Sequence, residues 1–167
     1  MADIKHGLRM TKNEDIKRYI FGGRGLFILK SNKSQKSYEY KISHIKGDTE
    51  NLAIKVNRVI GGGFIGLLNM EKSQFIHTKN SRLPINHESV RGIDWLVKNV
   101  NQDGYLTDMM EFYHMGICCC CGRTLTVRDN VELGIGPICL KNYGKKTKRI
   151  SRILKIREIR KKINGLN

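Results

Sequence analysis

The sequence predicts an α+β protein: a small antiparallel sheet, a meander or a partly closed barrel, with helices, then a treble-clef or zinc-ribbon-like finger and a basic C-terminal helix. Three observations predict it. Between residues 25 and 78, short runs of alternating apolar residues are separated by polar or glycine-rich turns, the pattern of successive antiparallel strands. All five cysteines fall within Cys118–Cys139, and Cys118 and Cys121 have the Cys-x-x-Cys spacing of half a tetrahedral site. From Lys141 to Lys162 there are eleven Lys and Arg and one acid, a net of +10 in a chain of 167 residues whose total is +16.

Taken in order, Thr11 and Glu14 have the spacing of a capping box, and Ile16, Tyr19 and Ile20 give the following short helix one apolar face. Gly22-Gly23 stops it. Gly25–Lys30, Ser37–Ile45, Leu52–Val59 and Phe64–Met70 read as strands, with Gln74–Thr78 as a fifth. Gly61-x-Gly63-x-x-Gly66 formally matches a dinucleotide fingerprint, but a strand-like run follows it instead of a helix, so a hairpin turn is expected. Ser89 caps a helix with Ile93, Leu96, Val97 and Val100 on one face and Trp95 at its flank. Asn101–Gly104 turns the chain, and Thr107–His114 is expected as a second short helix. Three segments follow: 1–86, a leader helix with the β domain; 87–144, helices and finger; 145–167, a basic amphipathic helix.

A zinc site needs soft thiolate or imidazole ligands aimed at one point. Neighbouring side chains diverge, so Cys118 and Cys121 face the metal and Cys119 and Cys120 point away. Gly122 suits the end of the turn, where positive φ is often needed. Cys139 supplies a third thiolate from the first turn of a helix, since Pro137 is well placed at a helix start. His114 is the expected fourth ligand, with His87, His77, Cys119 or Cys120 as alternatives. Gly144 is expected to end this helix, Lys145–Arg149 to link, and Ile150–Ile163 to form a separate one. Its Ile150, Ile153, Leu154, Ile156, Ile159 and Ile163 mark one broad apolar face that can dock on the body or on a second copy as a homodimer.

The run Cys-x-x-Cys-Gly-Arg-x-Leu-Thr followed by Gly-Ile-Gly-Pro-x-Cys resembles a small zinc-binding domain found in bacteriophage and bacterial proteins, mostly without assigned function. Position by position, the family's cysteines fall on Cys118, Cys121 and Cys139, and its Gly-Ile-Gly-Pro loop on Gly134–Pro137. The chain departs from it at Arg128-Asp129-Asn130, where the family usually carries a Pro-x-Ser-like element. The resemblance covers about 30 residues, with an upstream region similar to the leader of phage members. It implies a phage origin and a metal, and no activity.

With 31 Lys and Arg against 15 Asp and Glu, the chain carries a positive field that attracts polyanions, nucleic acid first among them. The expected contacts are Lys145, Lys146, Lys148, Arg149, Arg152, Lys155, Arg157, Arg160, Lys161 and Lys162, neutralising phosphates with Zn2+ as scaffold. Recognition of shape or backbone is expected over sequence readout, and RNA over DNA, because Phe27, Tyr38 or Tyr40 on the sheet can stack unpaired bases. Catalysis is not expected: a zinc deaminase needs His-x-Glu with Pro-Cys-x-x-Cys, and a metal-dependent treble-clef nuclease needs a histidine where Lys141, Asn142 and Tyr143 stand. The phage resemblance adds an alternative, an anti-CRISPR-like inhibitor of a host defence complex. Residues 1–5 lack the apolar core of a signal peptide, and the longest uncharged run, Val59–Met70, has twelve residues, so a cytoplasmic protein without a membrane partner is expected.

Overall fold

The computed structural model describes residues 7–48, 53–102 and 106–165. Asp103 and Gly104 of the expected turn and Leu52 of the expected strand lie outside them, as do residues 1–6. The elements are β1 (Leu8–Met10), α1 (Asn13–Ile20), β2 (Leu26–Ser31), β3 (Ser37–His44), β4 (Ala53–Arg58), β5 (Gly63–Asn69), β6 (Gln74–Ile76), α2 (Glu88–Val100), α3 (Leu106–Met109), β7 (Met110–His114), α4 (Arg128–Leu133) and α5 (Pro137–Asn164). The strands form one antiparallel seven-stranded sheet in the order β1-β7-β2-β3-β4-β5-β6. Five neighbouring strands are the meander that alternation predicts. Gly61, at φ +71, sits in the β4–β5 hairpin, which agrees with a turn at the glycine triplet.

Two strands were not expected. Thr107–His114 is helical only at its start, and β7 then inserts between β1 and β2. Period-two burial explains the switch: Met110, Phe112 and His114 are buried while Glu111 and Tyr113 are half-buried on the other face. Phe112 stacks on Phe27 at 4.9 Å between ring centroids, and Phe27 on Tyr40 at 5.4 Å, so three strands share one aromatic layer.

That layer faces α1 and α2. Ile16, Tyr19 and Ile20 of α1, with Val90, Ile93, Leu96 and Val97 of α2, close over Phe27, Tyr40, Ile42, Ile54 and Val56. Phe27 and Tyr40 are therefore core and offer no platform to a base. Tyr38 is half-buried, its ring under the Arg58 guanidinium at 4.4 Å and its hydroxyl donating to Glu88 at 2.8 Å. Trp95 is partly buried against the same core. The caps differ from expectation. Lys12 precedes α1 without a side-chain cap bond, and His87 rather than Ser89 caps α2, its Nδ1 accepting from the Ser89 N–H at 3.2 Å.

Candidate metal centre and basic helix

β7 runs directly into the cysteine knuckle. Gly116, at φ +72, bends the chain, and Ile117 bridges Thr124 to close a minimal hairpin. Inside it the Gly122 N–H donates to the Cys118 carbonyl at 2.8 Å and the Cys118 N–H to the Arg123 carbonyl at 2.8 Å. Gly122 has φ +75, so the expectation of a glycine that must go left-handed is met. α4 follows and ends at Gly134, also left-handed at φ +67. Pro137 then occupies the start of α5, which carries Cys139 in its first turn.

This path brings the Sγ atoms of Cys118, Cys121 and Cys139 within 4.8 Å of one another. Around zinc, thiolates at about 2.3 Å would sit about 3.8 Å apart, so the cluster needs to close by no more than about 1 Å. The donor set suits a soft dication. Burial opposes charge on Cys118, but backbone N–H groups of Gly136, Cys121 and Cys120 outweigh it and pull the thiol below its ordinary value; the Gly136 N–H donates to its Sγ at 3.3 Å. Cys139 is pushed up to about 12 by burial and by its two thiol neighbours. Three thiolates so close repel one another, and a bound cation is what would hold all three ionised. Cys119 and Cys120 lie outside the cluster, as side-chain divergence predicts. Cys119 is buried and its thiol pushed far up; its Sγ lies 3.8 Å from that of Cys120.

His114, expected as the fourth ligand, is not in the cluster. Strand alternation turns it to the core face, where its ring lies 5.3 Å from that of Tyr19 at a tilt of 37°, its Nδ1 accepts from the Gly116 N–H at 3.2 Å, and its ring bonds the Val131 backbone. Burial lowers its pKa to about 4. His77 is held by the Leu83 carbonyl at 2.8 Å and His87 by its capping role, so neither reaches the knuckle. The imidazole that sequence reasoning missed is His44, which lines the same cleft as the three cysteines and whose buried Nδ1 has no hydrogen-bond partner among the described residues. It stands at the end of β3, far from the cysteines in sequence.

The knuckle is fixed to the body by the leader. The Tyr19 hydroxyl oxygen lies 3.1 Å from the carbonyl oxygens of both Leu26 and Ile117, either of which can accept its hydrogen, and Arg18 donates to the Leu133 carbonyl at 3.1 Å. The Arg24 N–H donates to the Cys119 carbonyl at 2.7 Å. Gly22 is required here, since a Cβ would meet the Cys119 carbonyl oxygen at 2.6 Å and its Sγ at 2.8 Å.

α5 does not stop at Gly144; it runs 28 residues without a break, so Lys145–Arg149 is helix and not linker. One stripe faces the body: Cys139, Tyr143, Lys146, Ile150, Ile153, Leu154 and Arg157 are half-buried at helical spacing. Lys146 donates to the Gly22 carbonyl at 3.0 Å, and Arg157 and Lys161 reach Glu71 at 3.9 and 4.0 Å. The apolar residues are not one face. Ile156, Ile159 and Ile163 are 44, 49 and 56% exposed, on the side away from Ile150 and Leu154. On that outer side, Lys141, Lys145, Lys148, Arg152 and Lys155 form a ridge at intervals of three and four residues, all exposed. Arg149, Arg160 and Lys162 are exposed beside it, and Lys162 pairs with Glu158 at 3.2 Å.

Among the described residues, no helix is long and apolar enough to cross a membrane. Residues 108–144, from α3 through the first two turns of α5, match a family of unknown function, DUF6011. The matched segment holds all five cysteines and leaves the meander outside. No curated protein and no solved structure matches the chain.

Proposed function

We propose that this chain is a zinc-nucleated nucleic-acid-binding protein in which Cys118, Cys121 and Cys139 hold the metal as scaffold and α5 binds the phosphate backbone. The observation that carries the reading is the outer ridge. Lys141, Lys145, Lys148, Arg152 and Lys155 line up along one side of a helix whose opposite side is occupied by the body. None of the five has an ion pair among the described residues, so each is available to a phosphate. With Phe27 and Tyr40 in the core and the Tyr38 ring covered by Arg58, the reading names the backbone and gives RNA no advantage over DNA.

Five phosphate contacts give a slope of about −4.5 in log affinity against log salt on duplex DNA, a loss of about 500-fold between 50 and 200 mM. Fluorescence anisotropy with a labelled 20-mer RNA and a 20-bp duplex DNA at both salts is the test. Binding with that steep dependence, removed by Lys145→Glu, Lys148→Glu, Arg152→Glu and Lys155→Glu together, supports the reading. Binding to neither polymer by the metal-loaded protein at 50 mM salt refutes it.

A further inference from the structure

The three cluster cysteines form one wall of a cleft of about 750 Å³ between the knuckle, α4 and the start of α5. Its remaining lining includes two arginines and two exposed aliphatic side chains, beside His44, Cys120, Thr124, Leu125, Thr126 and Asn130. Arg123 follows Gly122 in the chain; the Arg24 stem passes the same glycine, with its Cδ 3.7 Å from where a Gly122 Cβ would lie, and the Arg24 N–H is pinned to the Cys119 carbonyl. Both arginines are exposed, and neither side chain has a hydrogen-bond or ion-pair partner among the described residues. The cleft is also lined by Val127, 60% exposed, and Ile138, which at 72% is the most exposed large apolar side chain described.

The electrostatic balance favours an anion. A dication with three thiolates carries −1, two arginines carry +2, and no Asp or Glu is among the lining residues. The first turn of α5 directs its positive end the same way. A ligand with an anionic group for the arginines and an apolar face for Val127 and Ile138 suits both kinds of side chain, and a volume of this size suits a small organic molecule. A nucleoside monophosphate has that combination. The position of the cleft supplies the source: Lys141, the first cation of the ridge, lies one turn beyond Ile138, so a strand laid along α5 arrives at the lip.

We infer that the cleft beside the cysteine cluster is a nucleoside-monophosphate site, filled by the terminal nucleotide of a strand bound on α5, with its phosphate monoester on Arg24 and Arg123. The inference rests on the proposed nucleic-acid binding, but the cleft can be examined separately. Calorimetric titration of the zinc-loaded protein uses four ligands: a 12-mer RNA with hydroxyl ends, the same RNA with a 5′-phosphate, the same with a 3′-phosphate, and adenosine monophosphate alone.

One phosphorylated 12-mer is expected to bind at least 10-fold tighter than the hydroxyl form. Arg24→Gln with Arg123→Gln brings that ratio to one, whereas Lys148→Gln with Arg152→Gln weakens all three strands and keeps the ratio. A ratio that follows the ridge variant instead would trace it to general charge and overturn the cleft. Adenosine monophosphate binding that requires both arginines, without any end preference, overturns the strand end and leaves a free mononucleotide as the ligand. If it binds while no 12-mer does, the ridge reading fails and the cleft stands. The absence of both an end preference and mononucleotide binding overturns the site.

Discussion

The sheet and the knuckle are adjacent but are held by different physics. The sheet side has the apolar mass: Phe27, Tyr40, Ile42, Ile54, Val56 and Phe112 under Val90, Ile93 and Leu96, all essentially out of water. From Gly116 to Gly136 the knuckle contributes to that core only Cys118, Cys119 and Ile135 as fully buried side chains. What it has instead is three left-handed glycines, a set of backbone hydrogen bonds and a thiolate cluster. A segment with so little apolar burial gains little from packing against its ordering entropy, and a metal held by the three thiolates would supply the missing cross-link.

Removing the metal is the most severe way to probe this difference. Structural zinc contributes on the order of 10 kcal/mol to small domains that depend on it. In chelator, or in Cys139→Ser, amides between residues 116 and 140 are expected to lose protection from hydrogen exchange while those of β3–β5 keep theirs. Equal loss in both regions would merge them into one cooperative unit. The converse probe is Phe27→Ala, which should destabilise the sheet by about 3–5 kcal/mol, read from urea unfolding. At low denaturant this variant should still bind one metal ion per chain.

His114 sits at the junction and titrates with a definite sign. Its folded pKa of about 4 lies below the ordinary 6.5, so above pH 6.5 it is neutral in both states and adds no pH dependence. As pH falls below 6.5 the unfolded chain takes the proton first, and stability is lost down to about pH 4. The loss approaches about 3 kcal/mol. Comparing urea midpoints at pH 7 and 4.5 for wild type and His114→Gln isolates this contribution from acid protonation of the thiolates, which both proteins share. The smallest effect is expected at Glu71→Gln. Ion pairs at 3.9 and 4.0 Å on partly exposed side chains are worth only a few tenths of a kcal/mol, so its unfolding midpoint should match wild type within about 0.5 kcal/mol.

What could be read from the sequence follows the same division. The meander strands were legible because one solvated face writes alternation into the chain, and the three cysteines because their spacing is itself geometry. β7 was not legible: Met109, Met110, Phe112 and Tyr113 satisfy a helical stripe as well as a strand, and only the burial of His114 completes the period of two. The same ambiguity lay behind the expectation of His114 beside the cysteines, since four residues before Cys118 says nothing about which face of a strand His114 occupies. Phe27 and Tyr40 were offered as stacking surfaces, but α2 lies over them, a tertiary fact that no local pattern carries. Gly144 failed to end α5 because a glycine in an exposed helix costs only about 1 kcal/mol, less than continuing the body-facing stripe through Tyr143 and Lys146 returns.

The unbroken run of α5 makes it a splint. Twenty-eight residues at 1.5 Å each give a rod of about 42 Å, carrying Cys139 at one end and meeting Glu71 near the other. Between them Lys146 holds the Gly22 carbonyl, and Ile150, Ile153 and Leu154 are half-buried. A rod seated along its length cannot pivot about its first turn without breaking that seam, so its outer cations keep one fixed bearing on the sheet.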